Sequence, residues 1–402
     1  MKIRDAEIIP LKIPFTDGSA GTGLMPQQWT HLDVALLKLT TEDGVVGWGD
    51  GFAYHCAGAT IAALRDMVLP LVIGAEIGDI PAFNRTLQRR LHLHGRYGIT
   101  IFAISAVDIA LWDIAAKEKG VSLATLLGGR VRETIPAYAS LVRYGDPGQV
   151  REYTAETVGR GYETVKLHEI ALPCIEAGVD AARPGVKVTT DVNCNWTLEE
   201  ARALMPEMRR LGLYWVEEPV FPPDDAETLG ALQLAFGVSI ASGENACTLV
   251  EFRRTLPKID YVQPSVIKVG GITEMADICD AAAALGRTVM PHSPYFGPGY
   301  WATAQVMAAK RSAGLFEHFW IRPEAYPDPA IPLPEQGMIA VPDRPGIGFE
   351  PDPEVLESYR ADRWGPVRPI SRCPPLRHAR PRAGIRSGAG GEAAPDPRTG
   401  RG

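Results

Sequence analysis

Residues Val188–Pro219 read VTTDVNCNWTLEEARALMPEMRRLGLYWVEEP. A short β-type run, VTTDVN, gives way to a helical segment and then to a second β-type run, YWVEEP. The same rhythm extends outward in both directions, from about Pro136 to Phe319. Its β-type runs are PAYASL, TVKLH, VTTDVN, YWVEEP, SIASGEN, YVQPSV, TVMPHS and LFEHFW. Strands that alternate with helices form parallel βα units, and eight such runs predict a closed barrel.

The residues that end these strands carry the chemistry. They are Lys166 and His168, Asp191 and Asn193, Glu217, Glu244, Ser265, His292 and Glu317. Counted from Lys166, successive anchors lie 25, 26, 27, 21, 27 and 25 residues apart. One polar residue per unit at one place in the unit predicts a ring at the C-terminal mouth of the barrel. Folding alone does not call for such a ring.

Asp191, Glu217 and Glu244 come from three successive strands, so their carboxylates converge. Like charges at that range force at least one to be neutral unless a cation intervenes. An all-oxygen set favours a hard divalent ion, and Mg²⁺ suits a site that keeps room for water and substrate. Lys166 and His168 share one strand face, because side chains alternate, and they lie one strand before Asp191. His292 and Glu317 lie across the ring. Bases on two faces of a cation fit removal of a proton from the carbon next to a carboxylate.

The flanks differ in rhythm. The first forty-odd residues alternate as strands, in KIRDAEIIPLKI and in HLDVALLKLTTEDGVVGWGDG, where TEDG makes a hairpin-type turn. Between them TDGSAGTGLMPQQW reads as a mobile loop. From about Ala59 to Lys119 the pattern is helical, most clearly in ISAVDIALWDIAAKEKG. The domains expected are residues 1–130, 131–325 and 326–364, followed by a 365–402 tail rich in Pro, Gly and Arg that reads as disordered.

Of the 402 residues, 46% are apolar and 22% charged, with a formal net charge of −7. That balance belongs to an ordinary globular chain and argues against nucleic acid as the main partner. No uninterrupted apolar stretch of about 18 residues suggests a membrane span, and the N-terminus lacks a signal-like apolar core. Six scattered cysteines without CxxC spacing suit a reduced, cytoplasmic setting. Cys194 and Cys247 are expected to pack. His92 and His94 are not expected to hold metal, since residues two apart do not share a helix face. Gly270–Gly271 is weak as a phosphate cradle.

The motifs GVVGWGDG, SAVDIALWDIAAKEKG, VKLH, DVNCNW, WVEEP, SGEN, QPSVIKVGGITE and MPHS, in this order, resemble the mandelate racemase/muconate lactonizing enzyme branch of the enolase superfamily. The resemblance spans about residues 1–360. It implies a (β/α)7β-type TIM barrel under an α+β capping domain built from the N-terminal part and a C-terminal segment. By the same comparison Asp191, Glu217 and Glu244 match three Mg²⁺ ligands. Lys166 and His168 match a Lys-x-Lys pair whose second member is often the base, so His168 is the expected base and Lys166 its electrostatic partner.

Two departures from the pattern matter. Ser265 stands where racemase-like members place an aspartate beside the histidine, so His292 lacks that partner and is expected to be less basic. Ser265 is also not the lysine of the muconate lactonizing enzymes, and Lys268 is expected to be a neighbouring electrostatic group. The expected reaction is therefore dehydration of an acid sugar: His168 takes the α-proton, His292 protonates the departing β-hydroxyl, and Glu317 hydrogen-bonds the substrate carboxylate as an acid. A racemase or epimerase is the alternative, with a cycloisomerase or a non-catalytic barrel behind it. Substrate choice is expected from the loops at 16–29 and 50–59, with Tyr54, His55, Asn193 and Lys268 touching substrate. The expected partners are a small carboxylate and further copies of the chain.

Overall fold

A computed structural model describes residues 1–18 and 29–361. The expected loop tip at 19–28 and the tail at 365–402 lie outside the described residues.

Strands β1 (Ile3–Thr16), β2 (His31–Thr41) and β3 (Val46–Gly51) form an antiparallel sheet. In β1 the residues Ile9, Leu11, Ile13 and Phe15 are buried and alternate with more accessible neighbours, the period-2 signature of a sheet with one face on a core. The β2–β3 connection is the expected tight turn, with Gly44 N donating to Thr41 O. The longer helices that follow are α1 (Ala57–Ala63), α2 (Ile80–Arg90) and α3 (Ile99–Glu118).

The glycines of GVVGWGDG explain how α3 reaches the sheet. Gly47, Gly49 and Gly51 share one face of β3. A Cβ on them would stand 2.2 Å from Ala110 O, 2.0 Å from Ala106 O and 2.6 Å from Phe102 O. The helix backbone thus rests directly on the strand. Gly49→Val should cost more than about 3 kcal/mol, at the upper end for overpacking because the obstacle is backbone. Denaturant midpoints of the two chains check this. α3 is long and apolar enough by composition to cross a membrane, though Asp108 and Asp113 interrupt its apolar run; 83% of that window is buried inside the fold, which accounts for its composition.

The barrel strands are β4 (Thr134–Ser140), β5 (Thr164–Leu167), β6 (Lys187–Asp191), β7 (Val216–Glu217), β8 (Ile240–Ser242), β9 (Tyr261–Val262), β10 (Thr288–Val289) and β11 (Phe316–Phe319). They pair in parallel in the order β10-β9-β8-β7-β6-β5-β4-β11. The ring closes where Val289 N donates to Ser312 O and Gly314 N donates to Val289 O, just before β11.

Seven helices separate the eight strands: α4 (Pro147–Gly159), α5 (Leu172–Ala181), α6 (Leu198–Leu211), α7 (Ala226–Phe236), α8 (Thr248–Thr255), α9 (Ile272–Ala284) and α10 (Pro298–Ala309). This is a (β/α)7β arrangement. α6 shows why its segment is helical: Thr197 and Glu200 make a reciprocal capping box, and Gly212 ends the helix at φ +70°.

After β11 the chain returns to the N-terminal sheet. β12 (Arg322–Pro323) pairs with β1, and Lys12 N donates to Tyr359 O. β13 (Met338–Ala340) instead runs antiparallel to barrel strand β4. The C-terminal segment therefore braces the barrel as well as the cap.

Two clamps tie cap to barrel. Asp108 on α3 accepts from Thr273 N (2.9 Å), Thr273 Oγ1 (2.6 Å) and Asn84 Nδ2 (2.7 Å), while Gly270 N donates to Ser105 Oγ. A Cβ on Gly271 would meet Asp108 Oδ1 at 2.3 Å. The start of α9 is sealed by protein groups, which removes Gly270–Gly271 as a phosphate cradle.

Asp50, buried at the end of β3, accepts from Gly299 N (2.7 Å) at the start of α10. Burial pushes its pKa up to about 7, against the opposing hydrogen bond from Gly299. Between about pH 4 and 7 the unfolded chain releases this proton and the folded chain keeps it, so stability falls as pH rises through that window. Asp50→Asn should remove that decline, on the order of a few kcal/mol. Denaturation at a series of pH values reads it.

Candidate active site

Alternation along the barrel strands stacks the inward side chains in layers. Tyr138, Trp215, Ala241 and Met290 form a buried apolar layer. Two residues further along their strands stand Ser140, Glu217 and His292, joined by Lys166, Asp191 and Glu317. The expected ring is thus a polar layer laid on an aromatic floor.

Lys166 is its centre. Its Nζ lies 2.6 Å from Glu217 Oε1, 3.0 Å from Asp191 Oδ2 and 3.2 Å from Glu317 Oε1, and all four side chains are at most 1% exposed. Burial opposes the charge on Lys166, but these carboxylates outweigh it and hold the ammonium well above the usual lysine range. Burial likewise opposes ionisation of Asp191, yet Lys166, His168 and the Asn193 N–H draw its carboxyl far down. Glu217 goes the other way, raised by burial and by Asp191. One ammonium does not satisfy this many acids.

Asp191, Glu217 and Glu244 each place an oxygen within 4.8 Å of the others. Asp191 Oδ2 is buried and takes no hydrogen bond of normal geometry, although Lys166 Nζ is 3.0 Å away. Three converging carboxylates, an underused oxygen and a Glu217 forced towards neutrality fit a hard divalent cation. Among the described residues no other group of His, Cys, Asp and Glu converges in this way. His92 and His94 are exposed.

His168 sits beside this cluster, with Nε2 3.4 Å from Asp191 Oδ2. Its Nδ1 hydrogen-bonds the Leu141 carbonyl. A carbonyl only accepts, so Nδ1 carries a proton, and whenever the ring is neutral the lone pair lies on Nε2. That tautomer suits a base. His292 Nε2 lies 3.2 Å from Glu244 Oε2, while its buried Nδ1 has no partner. Burial lowers its pKa, with Glu244 and Glu317 opposing. Ser265 Oγ, in place of the aspartate, is also buried without a partner.

Glu317 requires a correction. Lys166, Ser140 Oγ (2.8 Å) and Ser293 N (3.0 Å) all donate to its carboxylate. Burial raises its pKa, but Lys166 and His292 lower it further, so Glu317 is held ionised rather than as the expected acid.

Above this layer is a cavity of about 360 Å³, within the range of small-molecule sites. His168, Glu244, His292 and Glu317 line it, as do Tyr54, His55, Asn193 and Lys268. Lys166, Asp191 and Glu217 lie beneath. Tyr54 hydroxyl donates to Pro294 O, joining a cap loop to a barrel loop. Lys268 donates to Asn245 Oδ1 (2.9 Å) and stands 4.7 Å over the Phe52 ring. One wall is aromatic: Trp29 packs on Tyr54 at 4.7 Å and on Phe319 at 5.5 Å between ring centres.

Sequence reading overlooked Ser140, Glu218 and Asn245, and it placed Cys194 in the packing. All four line the cavity. Strict alternation would turn Glu218 away from Glu217. Its backbone is left-handed, φ +40°, as are Asn193 (+44°) and Cys194 (+60°). These turns bring the side chains back over the mouth. Cys194 Sγ lies 3.6 Å from Glu218 Oε2, so the expectation of a packing role holds only for buried Cys247. Ser140 follows the strand-end rule, applied one strand earlier.

Fold and site together define a barrel enzyme class, a capped (β/α)7β barrel with three carboxylates at the mouth and a Lys/His pair one strand before them. Residues 149–355 match the family described as Enolase C-terminal domain-like, and residues 26–128 match the Mandelate racemase / muconate lactonizing enzyme N-terminal domain. The chain belongs to the mandelate racemase/muconate lactonizing enzyme family of the enolase superfamily.

It is 29% identical over 344 residues to an arabinonate dehydratase of Saccharolobus solfataricus, covering 82% of this chain and 91% of that one. It is 28% identical to a D-galactarolactone cycloisomerase of Agrobacterium fabrum, covering 81% and 90%. The crystal structure of an enolase-superfamily member from Agrobacterium tumefaciens superposes with a TM-score of 0.79 at 27% identity, covering 89% of this chain and 98% of that one.

Proposed function

We propose that the protein is a Mg²⁺-dependent dehydratase of acid sugars. The observation that carries this reading is the pair of histidines, His168 and His292, on one cavity with the carboxylate cluster. The similarity to an arabinonate dehydratase supports the same chemistry.

Asp191, Glu217 and Glu244 would hold the cation. When bound, it supplies positive charge to the substrate carboxylate as the α-carbon loses its proton. Lys166 adds fixed charge from below and orients Glu317. His168 Nε2 takes the α-proton. His292, in its protonated form, gives a proton to the β-hydroxyl, which leaves as water. The remaining enol takes a proton at C3 and becomes a 2-keto-3-deoxy acid. The aromatic wall covers the C–H face of the chain, and the polar wall faces its hydroxyls.

A cycloisomerase is the second reading, favoured by the similarity to a D-galactarolactone cycloisomerase. Incubating a panel of five- and six-carbon sugar acids with enzyme and Mg²⁺ separates the two. The dehydratase reading expects a 2-keto acid and its loss with EDTA. Ring opening or epimerisation without keto product would replace it.

A further inference from the structure

A second cavity, of about 330 Å³, shares two residues with the active cavity: Glu218 and Asn245 line both. It is backed by α8, and its lining includes Tyr97, Asp224, Ser242, Ala246 and Arg254. Between the two spaces stands a hydrogen-bonded pair. Asn245 Nδ2 donates to both oxygens of Glu218 at 3.2 Å, and Lys268 Nζ holds Asn245 Oδ1 at 2.9 Å. Glu218 is 1% exposed, and its left-handed backbone is what turns it into this wall.

Asn245 Nδ2 also lies 3.1 Å from Glu244 Oε1, so the pair steadies a carboxylate of the cluster as well as standing in the wall. Both residues line both cavities, so the same polar groups are in place to bond a hydroxylated ligand. The active cavity is at the small end for ligand sites, and the space behind the wall is itself polar.

We propose that the Glu218–Asn245 pair partitions one longer groove and so limits the acid chain that the enzyme accepts. A single sugar-acid chain lies with its far hydroxyls against the pair. A chain extended by a second sugar unit is excluded. This rests on the reading of the substrate as a polyhydroxy acid and adds the element that sets its length.

The test is calorimetric binding to the Mg²⁺-loaded protein, with five- and six-carbon aldonates compared with the disaccharide aldonates lactobionate and cellobionate. Two variants open the wall. Asn245→Ala changes an exposed side chain, and Glu218→Gly suits a backbone at positive φ. The original chain should prefer the short acids by at least about tenfold, and each variant should shift that ratio towards the long acids by at least about tenfold. Adding Ala246→Phe to the Asn245→Ala variant fills the second cavity and should reverse the shift.

Equal binding of short and long acids by the original chain would overturn the proposal. So would an unchanged ratio in both variants, or a shift that Ala246→Phe leaves in place. Binding of short acids without turnover would remove the dehydratase reading and leave the partition standing. No binding of any acid would remove both.

Discussion

His168→Asn is expected to abolish α-proton removal, lowering turnover by about 10²- to 10⁴-fold, while Mg²⁺ affinity stays close to that of the original chain. The Leu141 carbonyl fixes a proton on Nδ1 and leaves Nε2 as the nitrogen that faces the cluster and can take the α-proton. Asparagine retains polarity but has no basic nitrogen. Exchange of the α-proton of a sugar acid, followed by NMR with metal titration alongside, reads both halves. Retained exchange would move the base elsewhere. Lys166 is then the neighbour to consider, but its ammonium is locked by three carboxylates.

Lys166→Met should show how much of the centre rests on that one charge. Removing it leaves Asp191, Glu217 and Glu317 buried without a counter-charge. Breaking such a buried cluster costs about 3–5 kcal/mol. In EDTA the variant should unfold at markedly lower denaturant concentration. Added Mg²⁺ should raise its midpoint more than that of the original chain, because the divalent ion then supplies the only strong compensation. Equal midpoints in EDTA would show that the lysine is not what balances the acids.

The sequence carried much of this because parallel βα units convert spacing into geometry. Anchors 21 to 27 residues apart landed at one level of the barrel, and period-2 alternation put Lys166 with His168 on the inner face. The departures from that rule are equally physical. After the strand ends at Asp191 and Glu217, left-handed residues reverse the side-chain direction. No alternation rule could place Cys194 or Glu218 in the cavity. Protonation also escaped sequence reading. Glu317 was expected to be an acid, but Ser140, Ser293 and Lys166 all donate to it, and donors from three strand ends are visible only in space.

Shared glycines were legible as a motif but not as a reason. In GVVGWGDG they admit a helix backbone, and in Gly270–Gly271 they admit Asp108 rather than a phosphate.

Dehydration requires that this mouth remove an α-proton and expel a β-hydroxyl. Running the sugar-acid panel with Mg²⁺ in D₂O tests it most directly, with the product read by NMR and mass. The expected product is a 2-keto-3-deoxy acid carrying solvent deuterium at C3, with none when EDTA removes the metal. Deuterium at C2 with inversion and no keto acid would contradict dehydration, and no solvent deuterium in any acid would contradict α-proton removal itself.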